Sequence, residues 1–159
     1  MRQPARATGG RSLECSAKVD EISVGDKGWN QERGTTMKYV RQVDFAAIDK
    51  SGVDERLTQG LLDHDSGAKT CTINCIKTPA GGGSPAGMHF HDVDQIFYIL
   101  RGTMSIEIEG KQYECGPGSL IVFPTGVRHR NWNGGSEPIV HLAFNTPLPD
   151  PSKPFAKSV

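Results

Sequence analysis

Two stretches rich in histidine, glycine and proline, residues 83–102 and 118–133, constrain the fold of this chain more than any other feature. They contain three of the five histidines in the sequence, His89, His91 and His129. Glycine or proline turn signals frame each histidine, and β-branched and aromatic residues, which favour strands, flank it. The pattern predicts a metal site that strands hold inside a small all-β domain.

Short strand-forming segments follow one another through most of the chain. The segments predicted as strands are 56–62, 70–78, 95–100, 103–109, 112–115, 120–123 and 139–144. Turn residues separate many of them at intervals of roughly 8 to 12 residues, and helical periodicity is limited to a turn near residues 45–49. This spacing favours a sandwich or barrel, which closes on itself and so protects its strand edges.

The chain has 159 residues, which is enough for one domain with a substantial core. Residues 1–36 are polar and lack a sustained period, so we expect a flexible or partner-docking extension there. Residues 37–146 contain the patterned segments and form the predicted β-barrel domain. Residues 147–159 are rich in proline, and we expect an irregular tail.

Composition argues against several partners. The formal net charge is zero and the basic residues are scattered, which disfavours binding to nucleic acid. No apolar run approaches the roughly 20 residues that cross a bilayer, and the N-terminus lacks the apolar stretch of a secretory signal. We therefore expect a cytoplasmic protein with reduced thiols. The cysteines, which lack zinc-ribbon spacing, are Cys15, Cys71, Cys75 and Cys115.

The spacing of the histidines suggests how they could share one ion. His89 and His91 are two residues apart, so both imidazoles point to the same side of an extended strand. Gln95 has the same parity, and His129 arrives from a separate segment after the turn at residues 124–126. Three imidazoles suit one divalent transition metal (Fe, Mn, Ni, Zn or Cu) far better than Ca or Mg. The amide oxygen of Gln95 is an optional fourth ligand.

Apolar residues near these histidines predict a modest substrate pocket. The residues expected to line it are Cys71, Ile73, Cys75, Val93, Phe97 and Ile99. His141 has the parity to face this pocket as a proton-transfer group, and it can equally be a hydrogen-bonded histidine of the barrel wall. Tyr98, one residue out of the inward parity, is the other acid–base candidate.

The two histidine stretches resemble the paired motifs of the cupin family in its small, single-domain, RmlC-like form. The first family motif is a glycine, five residues, His-x-His, three or four residues, a glutamate, six residues and a glycine. Residues 83–102 match it, except that Gln95 replaces the glutamate. The second is a glycine, five residues, Pro-x-Gly, two residues, a histidine, three residues and an asparagine, and residues 118–133 match it fully. The resemblance implies a double-stranded β-helix (jelly-roll) barrel with one metal in its mouth, commonly as a homodimer.

Replacement of the carboxylate by an amide changes the charge of the predicted site. Three imidazoles and Gln95 are all neutral, so they leave the charge of a dipositive ion uncompensated. Such a site should attract an anionic or enolisable small molecule. The alternative is that Gln95 only hydrogen-bonds a water at the site.

These features favour an enzyme acting on a small oxygenated molecule. The first hypothesis is a non-haem metal dioxygenase, because a three-histidine site leaves several coordination positions open. The second is a metal-dependent isomerase or lyase, with no other cofactor, acting on a keto or unsaturated sugar acid. The third is a non-catalytic module that binds a small molecule or a metal, and the last is a barrel without any metal.

Overall fold

Alternating apolar and polar residues between turns produce strands throughout the part of the chain that the computed structural model describes, residues 39–83 and 85–159. The predicted extension, residues 1–36, lies outside this part. In the described residues a short helix, α1 (Phe45–Lys50), precedes the strands. The strands are β1 (Leu57–Leu62), β2 (Thr72–Thr78), β3 (His89–Phe90), β4 (Asp94–Arg101), β5 (Met104–Ile108), β6 (Lys111–Cys115), β7 (Leu120–Phe123), β8 (His129–Trp132), β9 (Ile139–Thr146) and β10 (Lys157–Ser158).

The strands form two antiparallel sheets of five strands each. The first sheet has the order β1-β2-β9-β4-β7, and the second has the order β10-β3-β8-β5-β6. Both sheets contribute buried apolar side chains to one core: Phe97, Ile99, Ile121, Phe123, Ile139 and Ala143 from the first, Met104 and Ile106 from the second. The predicted all-β class is therefore confirmed, and so is the predicted turn of helix.

Part of the outer face of the first sheet, beside α1, is covered as well. Ile48 of α1 packs there with Cys75 and Val140, and four half-buried leucines and Val43 surround them. The ammonium group of Lys77, which is 4% exposed, lies under the end of α1 within 3.3 Å of the Ile48 carbonyl oxygen. Both faces of β2 and β9 are thus buried, so apolarity alone does not distinguish the inner from the outer residues of these strands.

Two motif glycines occupy places where a larger residue would collide with the backbone. Gly83 bridges to β8, where an added Cβ would lie 2.7 Å from the carbonyl oxygen of Asn131. Gly102 follows β4 with φ of +74°, and its Cβ would lie 2.8 Å from the carbonyl oxygen of Pro138. A residue with a side chain would be strained at both positions.

The tail contains a strand that the sequence did not predict. Lys157 and Ser158 of β10 pair with Phe90 and His89 of β3, at the edge of the second sheet. The expectation of an irregular tail is therefore wrong for its last residues. The physical reason is that the edge strand β3 offers unpaired backbone groups, and these are satisfied by whichever segment reaches them.

No helix of the described residues is long and apolar enough to cross a membrane.

Candidate metal centre

Strand register brings together the three histidines predicted as metal ligands. His89 of β3 is the direct cross-strand partner of His129 of β8, and His91 follows just after β3. The ring centroids of the three pairs lie 4.4, 5.0 and 5.1 Å apart. All three side chains are almost fully buried, and one ring nitrogen of each lies within 4.8 Å of the other two. The arrangement can hold a metal ion.

Backbone carbonyl groups fix the orientation of two of these rings locally. Nδ1 of His89 bonds to the carbonyl oxygen of Gly87 at 3.0 Å, and Nδ1 of His129 bonds to that of Val127 at 2.9 Å. In both rings the acceptor lies two residues earlier in the chain. Because a carbonyl oxygen can only accept, Nδ1 carries the proton and Nε2 is left with a lone pair.

The third ring is oriented by the tail. Nδ1 of His91 bonds to the carbonyl oxygen of Phe155 at 2.8 Å, so the same reasoning places its proton on Nδ1. The Phe155 ring also lies against the imidazole, with centroids 4.3 Å apart and an interplanar angle of 30°. No signal in the sequence pointed to Phe155.

The free Nε2 atoms provide the test of whether these residues fit a metal. Nε2 of His89, His91 and His129 is buried in each ring and has no hydrogen-bond partner among the described residues. Buried polar atoms without partners are rare in folded proteins. Neutral imidazoles with Nδ1 donating to an acceptor and Nε2 free are what a transition metal requires. The donor set therefore fits a metal ion.

Burial keeps the imidazoles of His91 and His129 neutral. It lowers the pKa of His129 to about 4, with the charges of His89 and His91 acting in the same direction against the Val127 hydrogen bond. Burial also lowers the pKa of His91, while the bond to Phe155 opposes it. At neutral pH the lone pairs of these two rings are therefore available.

The proline–glycine turn before His129 is tied to the first motif. The Gly126 amide donates to the carbonyl oxygen of His91 at 2.9 Å. The amide and hydroxyl of Thr125 donate to a carboxylate oxygen of Asp94 at 2.8 and 2.9 Å, which lowers the pKa of that carboxyl group. These bonds connect the two sequence motifs directly.

Gln95 belongs to a short chain of amide hydrogen bonds. Its Nε2 donates to Oδ1 of Asn145 at 3.2 Å, and Nδ2 of Asn145 donates to the hydroxyl of Thr72 at 2.9 Å. Gln95 lies near His91 and raises the pKa of His91, against the larger lowering by burial. Nε2 of His91 nevertheless forms no hydrogen bond. Because the Gln95 nitrogen is engaged, its oxygen is the end left for the site. Alternation along β9 could have identified Asn145, which has the parity of His141.

Phe97 and Phe123 form an aromatic wall behind the histidines. Phe123 stacks on His129 with centroids 4.0 Å apart, and Phe97 meets Phe123 edge-on at 5.3 Å. His141 also contacts Phe97, with ring centroids 4.6 Å apart. His141, the first acid–base candidate, therefore touches this wall but is not one of the three histidines that cluster.

Neither role expected for His141 matches its environment in full. It is an inward residue of the barrel wall, but its Nδ1 has no hydrogen-bond partner among the described residues. Burial, aided by the charge of Arg56, lowers its pKa to about 4. Tyr98, the second candidate, is 39% exposed and pairs across the strands with Leu120 and Leu142, away from the histidines.

The expected pocket residues divide between different parts of the fold. Phe97 and Ile99 lie in the core between the sheets, as expected of an interior wall. Val93 is buried and lines a cavity of about 200 Å³ beside the tail, together with Asp92 and residues 147–150 and 153–155.

The three residues expected from β2 are a correction. Cys75 packs with Ile48 on the outer face, and Ile73 and Cys71 share its parity. The inner face of β2 instead carries Thr72, which bonds to Asn145. The prediction was wrong because it assigned the apolar residues of β2 to the inside, whereas α1 buries the outer face too.

Asn133, which ends the second motif, has a structural role. Its side-chain nitrogen donates to the carbonyl oxygens of Glu137 at 2.8 Å and Thr78 at 3.2 Å. Its side-chain oxygen accepts from the Gly135 amide at 3.0 Å. These bonds close the turn between β8 and β9 and join it to β2.

Fold and site together define a double-sheet β-barrel protein with a buried three-histidine cluster able to hold a metal ion. The family model for the cupin domain matches residues 76–145, and these residues are a cupin domain of the RmlC-like, double-stranded β-helix type. No curated protein matches the chain.

Several solved structures are similar to this chain. The polyketide cyclase RemF from Streptomyces resistomycificus is 25% identical, with a TM-score of 0.56 over 66% of this chain and 71% of that one. KdgF from Halomonas sp. is 23% identical, with a TM-score of 0.50 over 60% and 81%. An RmlC-like cupin family protein from Methanocaldococcus jannaschii is 17% identical, with a TM-score of 0.55 over 72% and 94%. The last two likenesses concern the fold alone.

Proposed function

We propose that this protein is a metal-dependent enzyme acting on a small, oxygen-rich organic molecule. His89, His91 and His129 would hold one divalent transition metal (Fe, Mn, Ni, Zn or Cu), with Gln95 as an optional fourth ligand. The observation that carries the proposal is the convergence of three buried Nε2 atoms without partners in the described chain. When bound, the metal supplies Lewis acidity to an oxygen atom of the substrate.

The charge of the site favours an anionic or enolisable substrate. The described metal-ligating cluster consists of three histidines and contains no carboxylate. Gln95 is neutral as well, so no side chain of this set offsets a dipositive charge. A carboxylate or enolate of the substrate would provide the missing negative charge.

Other residues of the chain bind and shield the substrate. Asn145 holds the Gln95 amide so that its oxygen faces the site, where it can accept a hydrogen bond. Phe97 and Phe123 exclude water from one side, which strengthens polar interactions in the site. Asp92 and Asp94 are engaged with Lys157 and Thr125. We therefore assign no general acid or base to a side chain, and protons would move through the substrate or solvent.

Two reaction types follow from this site. Similarity to the polyketide cyclase RemF, at 25% identity, supports a reaction without net oxidation, such as cyclisation, isomerisation or elimination on a keto or unsaturated acid. A dioxygenase is the second candidate, because a three-histidine ligand set leaves coordination positions open for both substrate and dioxygen.

The experiment measures turnover of a panel of dicarbonyls, catechols and keto or unsaturated sugar acids. Protein reconstituted separately with each candidate metal is assayed in air and under anaerobic conditions, beside a His129→Ala variant. Turnover that needs metal and persists without oxygen supports the first reaction type, and turnover lost without oxygen supports the dioxygenase. Tight metal binding with no turnover of any compound would instead support a non-catalytic binding module.

We also propose that the protein forms a homodimer. The outer face of β4 and β7 exposes Tyr98, Leu120 and Val122 at 39%, 65% and 46%, and β7 is an edge strand. Such an apolar edge is suited to pairing with a second copy. Sedimentation velocity should give twice the mass of one chain, and Leu120→Glu should shift it to the monomer. A monomeric wild type would contradict the proposal.

A further inference from the structure

The three candidate ligands differ in what holds them. His89 and His129 bond to carbonyl groups two residues away on their own segments. His91 bonds to the carbonyl oxygen of Phe155, which is 64 residues away in the sequence. The orientation of one ligand therefore depends on the position of the C-terminal segment, residues 147–159, here termed the strap.

The strap is fastened beside the first motif. Lys157 pairs with Phe90 through the backbone, and its ammonium group contacts the Asp92 carboxylate at 2.6 and 2.8 Å. The Val159 amide donates to the carbonyl oxygen of Met88 at 3.2 Å. These contacts fix the residues that follow Phe155 and thereby hold the Phe155 carbonyl group against His91.

The Phe155 side chain covers the same imidazole. Its ring lies 4.3 Å from the His91 ring, centroid to centroid. His91 is 2% exposed, whereas Phe155 is 41% exposed. Phe155 thus lies between this part of the candidate metal centre and the solvent.

The fastening of the strap is slight. Most of its residues are exposed, and a cavity of about 200 Å³ remains between residues 147–155 and the neighbouring Asp92 and Val93. The ion pair between Lys157 and Asp92 is about half exposed on both sides, and such pairs contribute little stability. Release of the strap would therefore expose the edge of β3 but leave the other strand pairs of both sheets in place.

We propose that the strap is a positioning element of the metal centre, in which the main-chain carbonyl of Phe155 keeps the proton of His91 on Nδ1 and its Nε2 free for the ion. Without that acceptor the ring can carry its proton on either nitrogen. Only the Nδ1-protonated form presents a lone pair from Nε2. The consequence for metal affinity rests on the proposed function, but the effect on the His91 proton does not.

The test compares four variants of the protein, one truncated and three with single substitutions. One ends at Pro154 and so lacks the carbonyl and ring of Phe155; Phe155→Ala removes the ring and keeps the carbonyl; Lys157→Gln loosens the strap. Lys153→Gln is the matched control, since Lys153 lies in the same segment and pairs with Asp150. Thermal unfolding of each variant without metal verifies that the barrel is folded.

The first measurement locates the protons of His91 in the metal-free protein, by long-range ¹H–¹⁵N correlation spectra of the imidazoles. We expect Nδ1 protonation in the wild type, Phe155→Ala and Lys153→Gln, and a mixture of both forms in the truncated protein. If the truncated protein is unfolded, the Lys157→Gln variant provides the test instead. In that variant we expect a partial shift of His91 from the Nδ1-protonated form toward the mixture of both forms. A folded truncated protein with the wild-type tautomer would overturn the proposal.

The second measurement is the affinity for Zn²⁺ and Mn²⁺, by competition with a chelator. Loss of a residue that orients a metal ligand typically weakens binding about 10- to 100-fold. We expect this loss for the truncated protein, a few-fold loss for Lys157→Gln, and none for Lys153→Gln. Wild-type affinity in the truncated protein would overturn the role of the strap in metal binding. A wild type that binds neither metal would overturn the proposed metal function instead, and the His91 spectra alone would then decide the role of the strap.

Discussion

His89 and His129 face each other as a cross-strand pair of β3 and β8, with ring centroids 4.4 Å apart. This pairing is the point at which the two histidine motifs meet. A slip of one residue between the strands would turn one of the imidazoles to the opposite face of the sheet. The candidate metal centre thus depends on one register, which the bond from Gly126 to His91 reinforces.

Replacement of a ligand should abolish metal binding while the barrel stays folded. For His129→Ala we expect metal affinity to fall by roughly 100-fold or more, since even loss of a residue that only orients a ligand costs about 10- to 100-fold. Metal content after removal by chelator and reconstitution, by mass spectrometry, measures this. The matched control is His141→Gln, which alters a buried histidine beside Phe97 and should bind as the wild type does. Equal content in His129→Ala and wild type would refute the site.

Gln95→Glu should tighten metal binding and weaken the metal-free protein. Gln95 is 7% exposed, and burying a carboxylate there without an ion lowers the thermal midpoint of the metal-free protein. With the ion bound, the added negative charge offsets the dipositive charge, so metal affinity should rise by about tenfold or more. Calorimetric melting measures both effects: the thermal midpoint of Gln95→Glu should be lower than that of the wild type without metal and should rise more when metal is added. Gln42→Glu, at an exposed position before α1, is the control and should show neither shift. Parallel shifts in Gln95→Glu would contradict the charge argument.

Acid should destabilise the metal-free protein through His141. Burial lowers its folded-state pKa to about 4, below the unfolded value of about 6.5. The unfolded chain therefore takes up the proton first, and the stabilisation present above pH 6.5 is lost as pH falls toward 4. Between pH 7.5 and 5.0 this residue should account for about 2 kcal/mol of the loss. Urea unfolding with chelator present should show a correspondingly smaller loss for His141→Gln, and an unchanged loss would disprove the assignment.

Lys77→Met should destabilise the fold without affecting metal binding. The Lys77 ammonium group donates to the carbonyl oxygens of Ile48, Ser51 and Gly52 at 3.3, 3.0 and 2.9 Å, at the end of α1. Methionine fills the space but removes these charge-assisted hydrogen bonds, while the Ile48 and Gly52 carbonyl oxygens keep the Ser51 hydroxyl and the Glu55 amide as donors. The loss should cost about 3 kcal/mol of unfolding free energy. Urea unfolding measures the change. Exposed Lys69→Met serves as control, and a loss no larger than in this control would contradict the capping role.

Local spacing was sufficient to predict that the three histidines come together and to predict most strands. His89 and His91 point to the same side because of strand geometry alone. The turn at residues 124–126, which is also local, places His129 at the start of the following strand. The hairpin between β5 and β6 was predictable for the same reason: Glu109 and Gly110, both with positive φ, form a tight turn between alternating segments. These features arise from residues close together in the chain.

Tertiary structure decided what lies around the ligands. Cys75 was predicted inside and packs outside, because whether α1 covers the outer sheet face cannot be deduced from the composition of β2. The amide pair of Gln95 and Asn145 and the carbonyl of Phe155 join segments 50 and 64 residues apart. The sequence by itself determined which side chains could bind an ion and that strands would present them together. Only the folded chain determined how those side chains are oriented and shielded, because hydrogen-bond partners and burial come from segments that meet after the sheets have closed.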